Sequence, residues 1–71
     1  MTDKPEQYNR IKAVLAYRQM TNKSLAEKLG KSENTVSRWT ANRIQPSLPQ
    51  LYEVAEILDV DVRDLLVPSA K

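Results

Sequence analysis

Apolar residues recur along this chain every three or four positions, the period of a helix face; no stretch alternates strictly as a half-buried strand does. Ile11, Val14 and Leu15 mark a first helix, with Tyr8 and the stem of Arg18 at its edges. Pro5 suits that helix's first turn, where its missing N–H costs little. Gln19-Met20 leads out of it. Leu25, Ala26 and Leu29 mark a second helix over about Asn22–Leu29, with Thr21 as its cap and Gly30 at its end, where positive φ is needed. Ser32 caps a third, Glu33–Thr40, whose inward residues are Val36 and Trp39. Ala41-Asn42 ends it, asparagine being next to glycine in tolerance of a left-handed cap. Arg43–Pro46 is a loop. Ser47-Leu48-Pro49-Gln50 is a capping box, with Pro49 tolerated in the first turn. It opens a fourth helix, with Leu51, Val54, Ala55 and Leu58 inside and Glu53 and Glu56 outside. Asp61 caps a last short helix, Val62–Leu66, whose start also favours Asp64; Pro68 stops it. The pattern predicts one all-α domain of five helices.

The second and third helices stand closest together. Between Leu29 and Val36 only a few residues turn the chain, the length of a helix-turn-helix corner. The third helix has a dry inner face, and Glu33, Asn34, Ser37 and Arg38, all able to hydrogen-bond, lie mostly on the other side. Such a helix suits the major groove of DNA, which admits one α-helix. The plain alternative is a solvated helix face.

Charge sharpens the choice. The chain has 71 residues and a net charge of only +2, which says little about nucleic acid. Its distribution says more. Between Arg10 and Arg43 there are eight basic residues and two acids; from Ile44 to the end there are two basic residues and five acids. A bipolar domain with its corner in the basic half can turn that half towards phosphates. Uneven surface charge without a partner is the alternative.

Other function classes recede. The chain has no histidine and no cysteine, so the usual nucleophiles, general bases and zinc ligands are missing. Its single glycine cannot make a glycine-rich phosphate loop. Acid pairs such as Asp59/Asp61 fall at helix ends, where capping explains them. The sequence therefore points away from an enzyme and calls for no cofactor or metal. No apolar run approaches the roughly 20 residues of a membrane span, and the N-terminus lacks a secretory signal's apolar stretch. A cytoplasmic protein without disulfides is expected.

LAEKLGKSENTVSRW followed by QPSLPQLYEVAEILDVDVRDLL resembles the helix-turn-helix family of phage repressor and Cro-like DNA-binding domains, also called the xenobiotic-response-element type. Leu25-Ala26, Gly30, Val36, Trp39, Pro46-Ser47-Leu48, Leu51, Ala55, Leu58-Asp59-Val60 and Leu65-Leu66 fall in the family's order and spacing. The resemblance implies a lambda-repressor-like fold at 9–67, a loose segment at 1–8 and a tail at 68–71. It implies double-stranded DNA as partner, with the third helix reading bases. By the family's pattern the base-contacting residues are Ser32, Glu33, Asn34 and Arg38. Asn34 can pair with adenine; Arg38 can donate to guanine or hold a phosphate. Glu33 can only accept, most naturally from cytosine's amino group, or it stabilises the helix dipole instead. Phosphate contacts are expected at Asn22, Lys23, Lys31, Thr35, Arg43 and Gln45. Asn22 stands where the family often has the longer glutamine. Relatives often pair an arginine and a glutamate at the positions of Leu15 and Thr40; both are replaced here, which strands no charge. Relatives bind as dimers, and Val60, Val62, Leu66 and Val67 are the candidate interface, with closure of the core as the alternative role. No small-molecule ligand is indicated. The expected function is a transcriptional regulator; a protein-binding module such as an antitoxin is the rival.

Overall fold

The computed structural model describes residues 7–68, in which four α-helices and one short 3-10 turn pack around a single core. Helix α1 is Ile11–Tyr17, α2 is Asn22–Leu29, α3 is Glu33–Thr40 and α4 is Leu48–Leu58. The expected fifth helix is instead a 3-10 turn, Val62–Leu65. Asp61 does cap it, accepting from the Arg63 N–H at 2.8 Å. It stops after one turn because Leu66 is already extended, at φ −111° and ψ 144°, and bridges to Asn9. Pro5 lies outside the described residues, and α1 begins only at Ile11.

Each helix starts and stops for a local reason. Thr21 Oγ1 accepts from the Ser24 N–H at 3.0 Å, and Ser32 Oγ from the Thr35 N–H at 3.1 Å. Ser47 and Gln50 complete the capping box, with bonds of 3.2 and 2.8 Å. These bonds satisfy N–H groups that have no partner within the helix. Gly30 ends α2 at φ 69°, and the Lys31 N–H returns to the Ala26 carbonyl at 2.9 Å. No heavy atom lies within 4 Å of where a Cβ would stand, so glycine is required there by φ and not by space. Three other helix ends use left-handed residues that are not glycine: Asn42 at φ 59° after α3, and Gln19 and Asp59, both at φ 57°, after α1 and α4. The Arg18 guanidinium bonds the Asp59 carbonyl at 2.9 Å, joining the ends of α1 and α4.

The apolar faces meet as their spacing requires. Ile11, Leu15, Leu25, Ala26, Val36, Trp39, Leu51, Val54, Ala55, Leu58 and Leu65 are buried together. Burying each large side chain is worth about 1.5–3 kcal/mol, and so small a domain needs most of them. Helix α2 packs on α3 and α4, while the 3-10 turn packs on α4 and α1.

The two ends of the described chain are clasped. The Arg10 N–H donates to the Leu65 carbonyl and the Val67 N–H to the Tyr8 carbonyl, both at 2.9 Å. They form an isolated antiparallel bridge between Asn9 and Leu66. Arg10 Nε adds a bond of 3.0 Å to the Asp64 carbonyl.

Candidate nucleic-acid interface

Helix α3 separates its residues sharply. Val36 and Trp39 are buried, whereas Glu33, Asn34, Ser37 and Arg38 are exposed. The inner pair fixes the helix against α1 and α2, and that fixes which side chains face out. Eight residues at about 1.5 Å each make a rod roughly 12 Å long. Ser32 and Thr35 stand at its start, hydroxyl to hydroxyl at 2.9 Å. Ser32 is exposed and Thr35 half-buried. Glu33 lies in the first turn, where the helix dipole favours a carboxylate.

Basic residues flank this row. Lys31 precedes the cap of α3 and Arg43 follows its end; both are exposed, as is Lys23 in the first turn of α2. None of Lys23, Lys31, Arg38 and Arg43 forms an ion pair among the described residues. The ion pair that is present joins Arg63 to Asp61 at 3.0 Å, at the 3-10 turn in the acidic half. The Arg63 side chain and its N–H hold the Asp61 carboxyl below its ordinary value, and the same bond raises Arg63. Four cations without ion pairs thus stand on or beside α3.

Besides Thr35, two other expected phosphate contacts have internal bonds instead of free side chains. Asn22 is half-buried, and its Nδ2 reaches Thr40 Oγ1 at 3.4 Å, a long bond. Gln45 is exposed, but its amide is held at both ends. Its Oε1 accepts from Asn9 Nδ2 at 2.7 Å, and its Nε2 donates to Asn42 Oδ1 at 3.1 Å.

Those bonds belong to a polar network that the sequence pattern did not reveal. Asn9 is the buried polar residue of the described chain. Its Nδ2 donates to the Trp39 carbonyl at 2.9 Å as well as to Gln45, and its Oδ1 accepts from the Ile11 N–H at 3.0 Å. Asn42 sits at φ 59°, the left-handed conformation expected of it. Its side chain does more than tolerate that angle. Oδ1 accepts from the Tyr8 and Asn9 N–H groups at 2.9 and 3.0 Å, and Nδ2 donates to the Asn9 carbonyl at 3.0 Å. The end of α3 is therefore bolted to the segment ahead of α1. The available signal was weak: an asparagine two residues before the first apolar helix position.

Val60, Val62 and Val67 are half-buried and Leu66 is 40% exposed. Val60 and Val62 face an open groove of about 500 Å³ shared with Tyr52 and Ala55. Among the described residues no group of acids forms a metal site, and no helix is long and apolar enough to cross a membrane.

Comparison with known proteins agrees with this geometry. The family model of the Cro/C1-type helix-turn-helix DNA-binding domain matches residues 10–71. A crystal structure of a Bacteroides fragilis protein, described as a candidate DNA-binding protein, is similar. It shares 60% identity with a TM-score of 0.84, over 84% of this chain and 97% of that one. No curated protein matches.

Proposed function

The chain belongs to the family of Cro/C1-type helix-turn-helix DNA-binding domains, and from that premise we propose that it is a sequence-specific transcriptional regulator whose homodimer occupies a two-fold operator. Helix α3 enters the major groove with Ser32, Glu33, Asn34 and Arg38 at base edges. Lys23, Lys31, Thr35 and Arg43 hold the flanking phosphates, with Asn22 and Gln45 beside them. The observation that carries this reading is the exposed row on α3, backed by a buried inner face and flanked by cations without acidic partners. Bases specify and phosphates position, and the row and its flanks supply one group for each task.

A single α3 covers a short site, and a two-fold pair covers two half-sites about one helical turn apart. The apolar end at Val60, Val62, Leu66 and Val67 is the proposed interface. Tyr52, 58% exposed, widens it across the groove.

The test is selection from a random duplex library at two salt concentrations. Recovery of a two-fold motif, weakened tenfold or more by Asn34→Ala or Arg38→Ala, is expected; each good base contact is worth about 1–3 kcal/mol. Weak binding without an enriched motif would sink the regulator reading. An enriched motif lacking two-fold symmetry would sink the dimer alone.

A further inference from the structure

We propose that Asn9 and Asn42 are positioning residues for DNA recognition, acting through the Gln45 amide. The inference rests on reading residue 45 as a phosphate contact. A glutamine amide can face either way, and the two ends have opposite chemistry: oxygen accepts, nitrogen donates. Here the surroundings decide. On one side stands Asn9 Nδ2, a donor, 2.7 Å from Oε1. On the other stands Asn42 Oδ1, an acceptor, 3.1 Å from Nε2. Reversal would set nitrogen against nitrogen and oxygen against oxygen. Asn9 cannot itself reverse, because its Oδ1 is held by the Ile11 N–H and its Nδ2 by the Trp39 carbonyl.

The Gln45 oxygen is turned inward to Asn9, while one Nε2 hydrogen has no partner among the described residues. The residue is exposed and stands two positions after Arg43. An unmatched donor beside a cation fits a phosphate oxygen. The same bonds tie that donor to the Trp39 carbonyl near the end of α3, so it keeps a fixed place relative to the reading helix. Ordering a long side chain on binding is costly, and a side chain ordered beforehand avoids that cost.

The experiment is a double-mutant cycle on the duplex recovered by selection, with affinity measured by fluorescence anisotropy across a salt series. Each protein is measured at a temperature where circular dichroism shows it folded. Glycine at residue 42 accepts φ 59° and removes only the side chain. Gln45→Ala is expected to weaken binding about tenfold, the low end for one hydrogen bond to a charged group. Asn42→Gly is expected to do the same, and the double variant to bind no more weakly than either single one. The salt slope should stay unchanged in all three, because a neutral amide releases no counterion. Asn9→Asp keeps the acceptor for Ile11 but sets a carboxylate oxygen against both Gln45 and the Trp39 carbonyl, and is expected to weaken binding at least as much as Gln45→Ala. Additive losses, or a fall in salt slope that reports a displaced Arg43, would overturn positioning through Gln45 while leaving the phosphate contact standing. So would full affinity in Asn42→Gly alongside weakened Gln45→Ala. Full affinity in Gln45→Ala would overturn the contact itself and the positioning with it. Failure of the unsubstituted protein to bind any duplex would remove the regulator reading and this inference together.

Discussion

Two residues in the same backbone conformation should answer the same substitution in opposite ways. Gln19 and Asn42 sit at φ 57° and 59° at the ends of α1 and α3. An L-residue held there is strained by roughly 1 kcal/mol. Glycine removes that strain but gives the unfolded chain extra freedom, worth about 0.5 kcal/mol in the other direction. The Gln19 side chain makes no hydrogen bond among the described residues, so Gln19→Gly should gain the difference, about 0.5 kcal/mol. Asn42→Gly starts from a smaller strain, since asparagine enters the left-handed region more readily. It then loses four side-chain bonds, to Tyr8, Asn9 (two) and Gln45. A buried bond contributes about 1 kcal/mol net, and water can replace part of each at these partly exposed sites. A loss of about 1.5 kcal/mol is expected. Urea unfolding reads both, as midpoint shifts at constant slope. In a domain this size the melting temperature should rise by about 3 °C for Gln19→Gly and fall by about 9 °C for Asn42→Gly. Equal stabilisation by the two glycines would refute the argument, because the Asn42 network would then contribute nothing.

Two further outcomes follow from the core and from the Asp61–Arg63 ion pair. Leu25 is fully buried between α2 and its neighbours, and Leu25→Ala should cost about 3 kcal/mol and lower the melting temperature by roughly 15 °C; a fall under 5 °C would mean that the site collapses around the lost volume. The Asp61 carboxyl is held below its ordinary value by Arg63. As pH falls, the unfolded chain takes up that proton first, so the stabilisation present at neutral pH is lost as the folded carboxyl titrates, below about pH 4. Asp61→Asn should remove that stabilisation at neutral and alkaline pH alike and so flatten that part of the acid limb, as thermal melts across pH will show.

What could be read along the chain was what the chain decides locally. Thr21, Gly30, Ser32 and the Ser47/Gln50 box each act within four residues of themselves, so both bounds of α2 and the starts of α3 and α4 follow from neighbours alone. The faces of α3 follow from Val36 and Trp39 by period. The rest is decided at a distance. Asn9 is buried by partners 30 and 36 positions away, and nothing next to it in sequence announces them. Gln45 reads as a free polar side chain until Asn9 and Asn42 are seen to hold it. The last turn reads as α-helix from its cap and apolar residues. It ends as a single 3-10 turn because Leu66 is drawn into the bridge with Asn9.

That bridge also sets how the molecule bears tension. Any force on the two ends of the described chain meets at the Tyr8–Val67 and Arg10–Leu65 bonds before it reaches a helix. Paired strands lie about 4.8 Å apart, so the two ends leave the body side by side, and a pull that separates them opens one bond and then the next, as a zipper opens. Once the clasp has parted, the load passes to the Asn9 side chain and, through it, to the Trp39 carbonyl at the end of α3. Helix α3 is thus mechanically coupled to the segment ahead of α1, and tension there would reach its seat before it reached the α2–α4 contact.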